Sequence, residues 1–112
     1  MLTPQWAWDP IRSNGDSYGG LMRAWGLGAQ LITDHAEPAN GDRLVRNQVL
    51  RYAGHAGDAY GLHSGLWFDP DGDFGFVYII GGVGADPEEW KGNYSSFYRW
   101  EEEIMTILYG LR

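Results

Sequence analysis

The chain has 112 residues, which fits a single domain of ordinary size. Fifteen Asp and Glu against eight Lys and Arg give a net charge of −7, which argues against nucleic acid and anionic membranes as partners, because both require a basic surface. The sequence contains no Cys, which excludes disulfides, thiolate nucleophiles and cysteine-based metal sites. It also contains no apolar run long enough to span a membrane.

Glycine and proline interrupt the first half of the chain, so this half predicts little regular structure. Residues 1–24 indicate no clear element. Residues 25–33 favour a short strand, although two glycines weaken the pattern. Residues 34–48 are polar and contain Asn40-Gly41-Asp42, which predicts a surface loop.

Three strands are predicted in the second half of the chain. Apolar and aromatic residues favour strands over residues 49–57, 60–69 and 74–81. The segment Asp69-Pro70-Asp71-Gly72-Asp73 between the last two is typical of a tight hairpin turn. The third strand is apolar at nearly every position, which predicts a strand that is covered on both faces of the sheet.

A C-terminal helix is predicted over residues 95–110. Apolar residues at spacings of three and four share one face of it: Phe97, Trp100, Ile104, Ile107, Leu108 and Leu111. The residues Glu101, Glu102 and Glu103 fan around the helix, and we expect them to be solvated. The elements together predict one α+β domain over residues 1–112. It would have an antiparallel sheet of three or four strands within residues 25–82 and the amphipathic helix packed on one face.

The sequence offers no convincing metal or cofactor site. The acidic residues Asp69, Asp71 and Asp73 lack the Gly and Glu of a calcium-binding loop, so the hairpin turn explains them better. His55 and His63 fall on adjacent predicted strands without an obvious third ligand. We therefore expect no metal and no cofactor.

The nucleophile motifs of common serine hydrolases are also absent. Lys91 is the only lysine and Glu88 stands three residues before it, which excludes a Ser-x-x-Lys motif. No Gly-x-Ser-x-Gly elbow occurs. His63 and Ser64 are neighbours on a predicted strand, so their side chains point to opposite faces and cannot pair as base and nucleophile. The acidic residues Asp86, Glu88 and Glu89 near Lys91 indicate a surface connection.

The second half nevertheless carries an ordered series of short motifs. His55-Ala56-Gly57 is followed by a strand rich in Gly, Ser and aromatics over 61–68, by the turn Pro70–Asp73, and by the Gly-aliphatic strand 74–80. This series resembles the C-terminal segment of the serine β-lactamase and penicillin-binding-protein superfamily, nearest its class C β-lactamase and esterase branch. That family has Lys-Thr-Gly or His-Thr-Gly at the first position, and its last helix corresponds to the helix predicted here.

The resemblance implies that His55, Ala56 and Gly57 form one wall of an active site, with His55 facing the ligand. It also implies that the backbone N–H of Asp58 is one donor of an oxyanion hole, with the Asp58 side chain turned away. The chain departs from the family because Ser-x-x-Lys and Tyr-x-Asn are absent and Ala56 replaces the usual Thr. We therefore expect the C-terminal segment of a β-lactamase-like serine hydrolase, without a nucleophile and inactive alone.

Two other functions stay open at this point. One is a free-standing oligomeric binding or assembly module, and the other is a small esterase that uses Ser64 or another non-family Ser with a His from a neighbouring chain. In the family, a strand from the N-terminal region lies beside the strand that corresponds to residues 74–81. Its absence predicts a homo-oligomer, most simply a dimer, through the Phe74–Gly81 edge and the C-terminal helix, or else a separate N-terminal portion. The start of the sequence lacks the features of a signal peptide, so we expect a cytoplasmic location unless the chain derives from an exported parent.

Overall fold

The computed structural model describes residues 1–84 and 89–112, and the predicted surface connection at Asp86 and Glu88 lies outside them. The described residues form an α+β fold with one six-stranded antiparallel sheet and a single C-terminal helix, which confirms the predicted class. The strands are β1 (Trp6–Ala7), β2 (Ala24–Trp25), β3 (Gln30–Leu31), β4 (Ala53–Ala59), β5 (Leu62–Phe68) and β6 (Gly75–Ile80), and the helix is α1 (Arg99–Gly110). The strands lie in the sheet in the same order as in the chain.

The long strands β4, β5 and β6 are joined by the two turns that their sequences favour. Tyr60 and Gly61 both have positive φ, 54° and 75°, which is typical of the type I′ turn of a two-residue hairpin. The predicted turn between β5 and β6 is confirmed: the Asp69 N–H donates to Phe74 O, and the Asp69 carboxylate accepts the Asp71 N–H. These turns fix the register of the three strands.

The sheet has more strands than the three or four that the sequence predicts. The additional strands are only two residues long, too short to produce a periodic pattern. The predicted strand over residues 25–33 is in fact a hairpin, because Gly28 has a φ of +85° and the Gly26 N–H donates to Ala29 O across the turn. Its two arms are β2 and β3.

The core lies between the sheet and α1 and extends under the loop that precedes β4. Trp67 and Met105 are fully buried at its centre, from β5 and α1 respectively. The prediction of a surface loop over residues 34–48 is wrong for its second half, because Leu44 and Val45 belong to this core. Asp42 is buried as well, and its carboxylate accepts backbone N–H groups of the chain just before it, including that of His35.

The two faces of the sheet are covered very differently. The face toward α1 carries buried side chains such as Trp67 and Tyr78, whereas Val77 and Ile79 are exposed on the opposite face. The prediction that the third strand is covered on both faces is therefore wrong. The apolar residues of β6 on the outer face are not needed to fill the core, because α1 packs on one face only.

The helix begins at Arg99, four residues later than predicted, and the predicted apolar face is only partly buried. Ile104 and Leu108 of that face pack against the core. Glu101, Glu102 and Met105 are its buried residues, whereas Ile107 and Leu111 of the predicted apolar face are exposed. The prediction that the glutamates are solvated is wrong for the first two, because polar groups of other segments bind their carboxylates. Among the described residues, no helix is long and apolar enough to cross a lipid bilayer.

Candidate functional site

A cavity of about 950 Å³ opens beside residues His55 to Asp58 of β4. Its size lies within the range of small-molecule sites. Five parts of the chain line it: the segment that leads into and includes β2, the loop between β3 and β4, the end of β4 with its β5 neighbour, the segment before α1, and the first turn of α1. The lining residues are Tyr18, Gly19, Leu21, Met22, Trp25, Ala39, His55, Ala56, Gly57, Asp58, His63, Lys91, Gly92, Ser95, Ser96, Phe97, Tyr98 and Glu101.

The hairpin geometry directs the backbone N–H of Asp58 away from β5. In a two-residue hairpin, the residues that flank the turn form the first hydrogen-bonded pair, and here these residues are Ala59 and Leu62. Antiparallel pairs alternate between hydrogen-bonded and non-hydrogen-bonded. The next pair, Asp58 with His63, is therefore non-hydrogen-bonded. Its Asp58 N–H and C=O point off the opposite edge of β4, the edge that borders the cavity.

The pairing on the other side of β4 supports the same alternation. The Ile32 N–H donates to Tyr52 O at 2.9 Å, and Gly54 pairs with β3. The backbone N–H and C=O groups of the even-numbered residues of β4 thus point toward β3. Because β3 ends beside Gly54, no strand among the described residues lies along the edge formed by Ala56 and Asp58. The backbone donors and acceptors of this free segment of the β4 edge therefore pair with no strand among the described residues.

His55 lines the cavity and is exposed to solvent. Its ring lies edge-on to Trp25, with centroids 5.1 Å apart. The Nδ1 atom contacts the carbonyl oxygen of Ala56. A carbonyl only accepts, so Nδ1 carries the hydrogen in this contact and Nε2 is the nitrogen left for a ligand.

A polar network that is buried except for the exposed Asp58 side chain forms the floor of the cavity. His63 Nδ1 lies 3.6 Å from Glu101 Oε1, and His63 Nε2 lies 3.4 Å from Asp58 Oδ1. The hydroxyl of Tyr78 donates to Glu101 Oε2 at 2.6 Å, and the Tyr98 N–H donates to Glu101 Oε1 at 3.3 Å. Three strands and the helix thus contribute to one cluster around the imidazole of His63.

Burial raises the pKa of two groups in this network, the Glu101 carboxyl and the Tyr78 phenol. It raises the pKa of the Glu101 carboxyl above its usual value, and the hydrogen bonds from Tyr78 and the Tyr98 N–H only partly oppose this rise. Burial also raises the pKa of the Tyr78 phenol, and the neighbouring Glu101 carboxylate raises it further. Tyr78 therefore acts as a hydrogen-bond donor at every physiological pH. Ionisable groups with shifted pKa values in a cleft are typical of functional sites, although structural networks produce such shifts as well.

A second buried glutamate fixes the wall of the cavity that precedes α1. The carboxylate of Glu102 accepts the backbone N–H of Asn93 at 2.8 Å and that of Tyr94 at 3.0 Å. It also accepts the hydroxyl of Ser95 at 2.8 Å. Three donors of one short loop therefore converge on a single carboxylate, and they hold the loop against the helix.

The structure brings the four residues of the predicted site together. His55, Ala56, Gly57 and Asp58 all line the cavity. The side chain of Asp58 does not turn away as the resemblance implied, since its carboxylate approaches His63. The other predicted residue, Ser64, is outside the lining of the cavity and covers Gly57 on the outer face of the sheet.

The sequence did not identify His63, Glu101 or Glu102 as parts of this site. The sequence did contain a signal for His63. His63, Gly65 and Trp67 occupy every second position of β5 and therefore share the face that points inward. His55 and His63 lie on opposite faces of the sheet, so they cannot share a metal ion. Within residues 1–84 and 89–112, no group of three or more metal-ligating side chains is found.

Comparison with known proteins returned no match to this chain among family models, curated proteins or solved structures.

Proposed function

We propose that this chain forms the ligand-binding wall of a β-lactamase-like serine hydrolase site and does not hydrolyse substrates by itself. The observation that carries the proposal is the position of the cavity: it borders the free edge of β4 at the residues His55 to Asp58. The strand order β4–β5–β6 followed by a C-terminal helix is also what a partial β-lactamase-like fold requires.

The free β4 edge suits a ligand that carries a carbonyl group. The Asp58 N–H, which points off the sheet, would donate to the carbonyl oxygen and act as one of the two donors of an oxyanion hole. One such donor is typically worth about 2.7–4 kcal/mol of activation free energy. The second donor and the attacking hydroxyl would belong to a Ser-x-x-Lys segment, which this sequence lacks. Without a nucleophile, the wall binds but does not cleave.

Ala56 would make this site different from that of a typical family member. The family has Thr at this position, and its hydroxyl can bind a substrate carboxylate. Ala56 lines the cavity and offers only a methyl group. The site should therefore bind carboxylated ligands weakly, through the backbone edge and His55.

Two variants test this proposal directly. We expect Ala56→Thr to tighten the binding of a carboxylated β-lactam several-fold, because it restores a hydroxyl beside the ligand. Ala59→Thr is the matched control, since Ala59 lies on the same strand outside the cavity. Binding is measured by titration with the β-lactam while NMR follows the backbone amides, and the Ala56 and Asp58 amides should shift most.

The same preparations are assayed for hydrolysis of a chromogenic β-lactam and of a p-nitrophenyl ester. We expect no turnover above that of a heat-inactivated sample. Turnover that Ser64→Ala abolishes would contradict the proposal and favour a small esterase. Amide shifts confined to residues far from β4 would refute the proposal that this strand forms the ligand-binding wall.

A free-standing binding module is the second candidate function. The observation that favours it is the polar network of His63, Asp58 and Glu101, which is complete within this chain. Such a module would gain nothing from a nucleophile-bearing partner, and Ala56→Thr would not selectively tighten its binding of a carboxylated β-lactam.

A further inference from the structure

The outer edge of β6 presents unpaired backbone groups. The Asp69 N–H donates to Phe74 O at the turn. The backbone N–H and C=O groups of the odd-numbered residues of β5 therefore point toward β6 as well. By the antiparallel alternation, Tyr78 is then in a hydrogen-bonded pair with β5, whereas Val77 and Ile79 direct their N–H and C=O groups off the sheet. Among the described residues no strand follows β6 in the sheet, so these four groups face outward.

The outer face beside this edge is apolar. Leu66 on β5 is 51% exposed, and on β6 Val77 is 59% and Ile79 is 69% exposed. Leu66 pairs directly with Val77 across the two strands, so these side chains form one continuous patch. We call it, together with the edge of β6, the β6 surface.

Nothing in the sequence of β6 protects this surface from strand pairing. Natural edge strands usually carry a charge, a proline or a bulge that prevents association. Residues 74–82 contain no charged residue and no Pro. No charged side chain of this segment would therefore oppose the pairing of two copies along it.

We infer that a second copy of this chain covers the β6 surface, by antiparallel pairing of the two β6 strands about a two-fold axis near Tyr78. This register sets Val77 of one copy against Ile79 of the other, and a pair of β-branched side chains of this kind stabilises a sheet. It also pairs the outward N–H and C=O groups of both residues. An isologous contact of this type is closed by its own symmetry.

The other edge of the sheet explains why association would stop at a dimer. That edge is β1, which is only two residues long. A two-residue strand offers too few hydrogen bonds to continue the sheet into a fibre. The pairing therefore uses β6 alone and leaves the cavity beside β4 open.

Sedimentation equilibrium and light scattering across a range of protein concentrations test this inference. We expect a reversible dimer for the native chain. Val77→Lys should weaken it by at least about a hundredfold, because the two-fold axis brings both added charges to one interface. Ile107→Lys is the matched control: Ile107 is also exposed and aliphatic but lies on α1, so this variant should dimerise like the native chain.

Hydrogen exchange gives a second test that needs no substitution. The amides of Val77 and Ile79 should become protected as the protein concentration rises, whereas the Tyr78 amide, bonded within the monomer, should be protected throughout. A monomer at every concentration, with Val77 and Ile79 amides always unprotected, would overturn the inference. A dimer that Val77→Lys leaves intact would also overturn it, since the contact would then lie on another surface.

Discussion

The substitution Glu102→Ala tests whether a buried carboxylate holds the wall of the cavity. It leaves the N–H groups of Asn93 and Tyr94 and the hydroxyl of Ser95 without their acceptor. A hydrogen bond to a charged group contributes about 1.5–3 kcal/mol. Asn93 is exposed and can regain a hydrogen bond to water, so the two bonds from Tyr94 and Ser95 dominate the loss. We expect the free energy of unfolding to fall by about 3–5 kcal/mol, roughly the sum of these two bonds.

The loss should be evident in both thermal and urea unfolding. At roughly 4 °C per kcal/mol for a domain of this size, the midpoint of thermal unfolding should fall by about 12–20 °C. Glu103→Ala is the matched control, because it removes the same charge from the next residue of the helix, which is exposed. If both variants lose the same stability, Glu102 has no special role and the reasoning fails. Glu102→Gln should lie between them, since an amide keeps one acceptor but not the charge.

Three further predictions follow from the packing and the electrostatics. Met105→Ala should cost about 2–5 kcal/mol in urea unfolding, because Met105 is fully buried, whereas Ile107→Ala on the exposed side of the same helix should cost less than about 1 kcal/mol. Gly65→Ala should destabilise the fold more than Gly81→Ala, because a Cβ at Gly65 would lie 2.7 Å from the rings of two buried aromatic residues, whereas at Gly81 it meets nothing within 4 Å. Burial raises the pKa of Glu101 above its ordinary value of 4.5, so the stability linked to it is complete at lower pH and is lost as the pH rises through its folded-state pKa. Urea unfolding at a series of pH values should therefore show that the native chain loses stability relative to Glu101→Gln as the pH rises through this pKa. A difference in stability between the two proteins that stays constant with pH would contradict this.

Local patterns in the sequence were enough to predict the elements whose formation depends on nearby residues. The turn at Asp69 and the long strands around it could be predicted because turn residues and apolar runs identify them without distant partners. The placement of His55 to Gly57 along one strand was predictable for the same reason, although the strand runs on to Ala59 instead of ending at Gly57. The short strands β1 to β3 could not be predicted, because two residues carry no periodicity and their pairing depends on contacts between distant segments.

The buried glutamates show why the rest of the site was hidden from sequence reasoning. A run of three glutamates at the start of a helix usually faces water, and the helix pattern alone gives no reason to bury them. The groups that bind Glu101 and Glu102 come from elsewhere in the chain, most distantly from Tyr78 on β6. Burial of these side chains is therefore a property of the tertiary structure, and only the full set of donors makes it favourable.

Successive residues of a helix point about 100° apart, so the two buried glutamates bind different parts of the molecule. Glu101 is held by Tyr78 of the sheet and lies beside His63, whereas Glu102 holds the loop that contains Ser95. One turn of α1 thus links the floor of the cavity to its wall through directional hydrogen bonds rather than through apolar packing alone. Such a network is costly unless every donor is satisfied, but once satisfied it specifies a single geometry. A cavity held in this way keeps its shape without a ligand, so binding at the β4 edge should require little reorganisation. Glu102→Ala should then weaken binding of a β-lactam in addition to reducing stability, whereas Glu103→Ala should change neither.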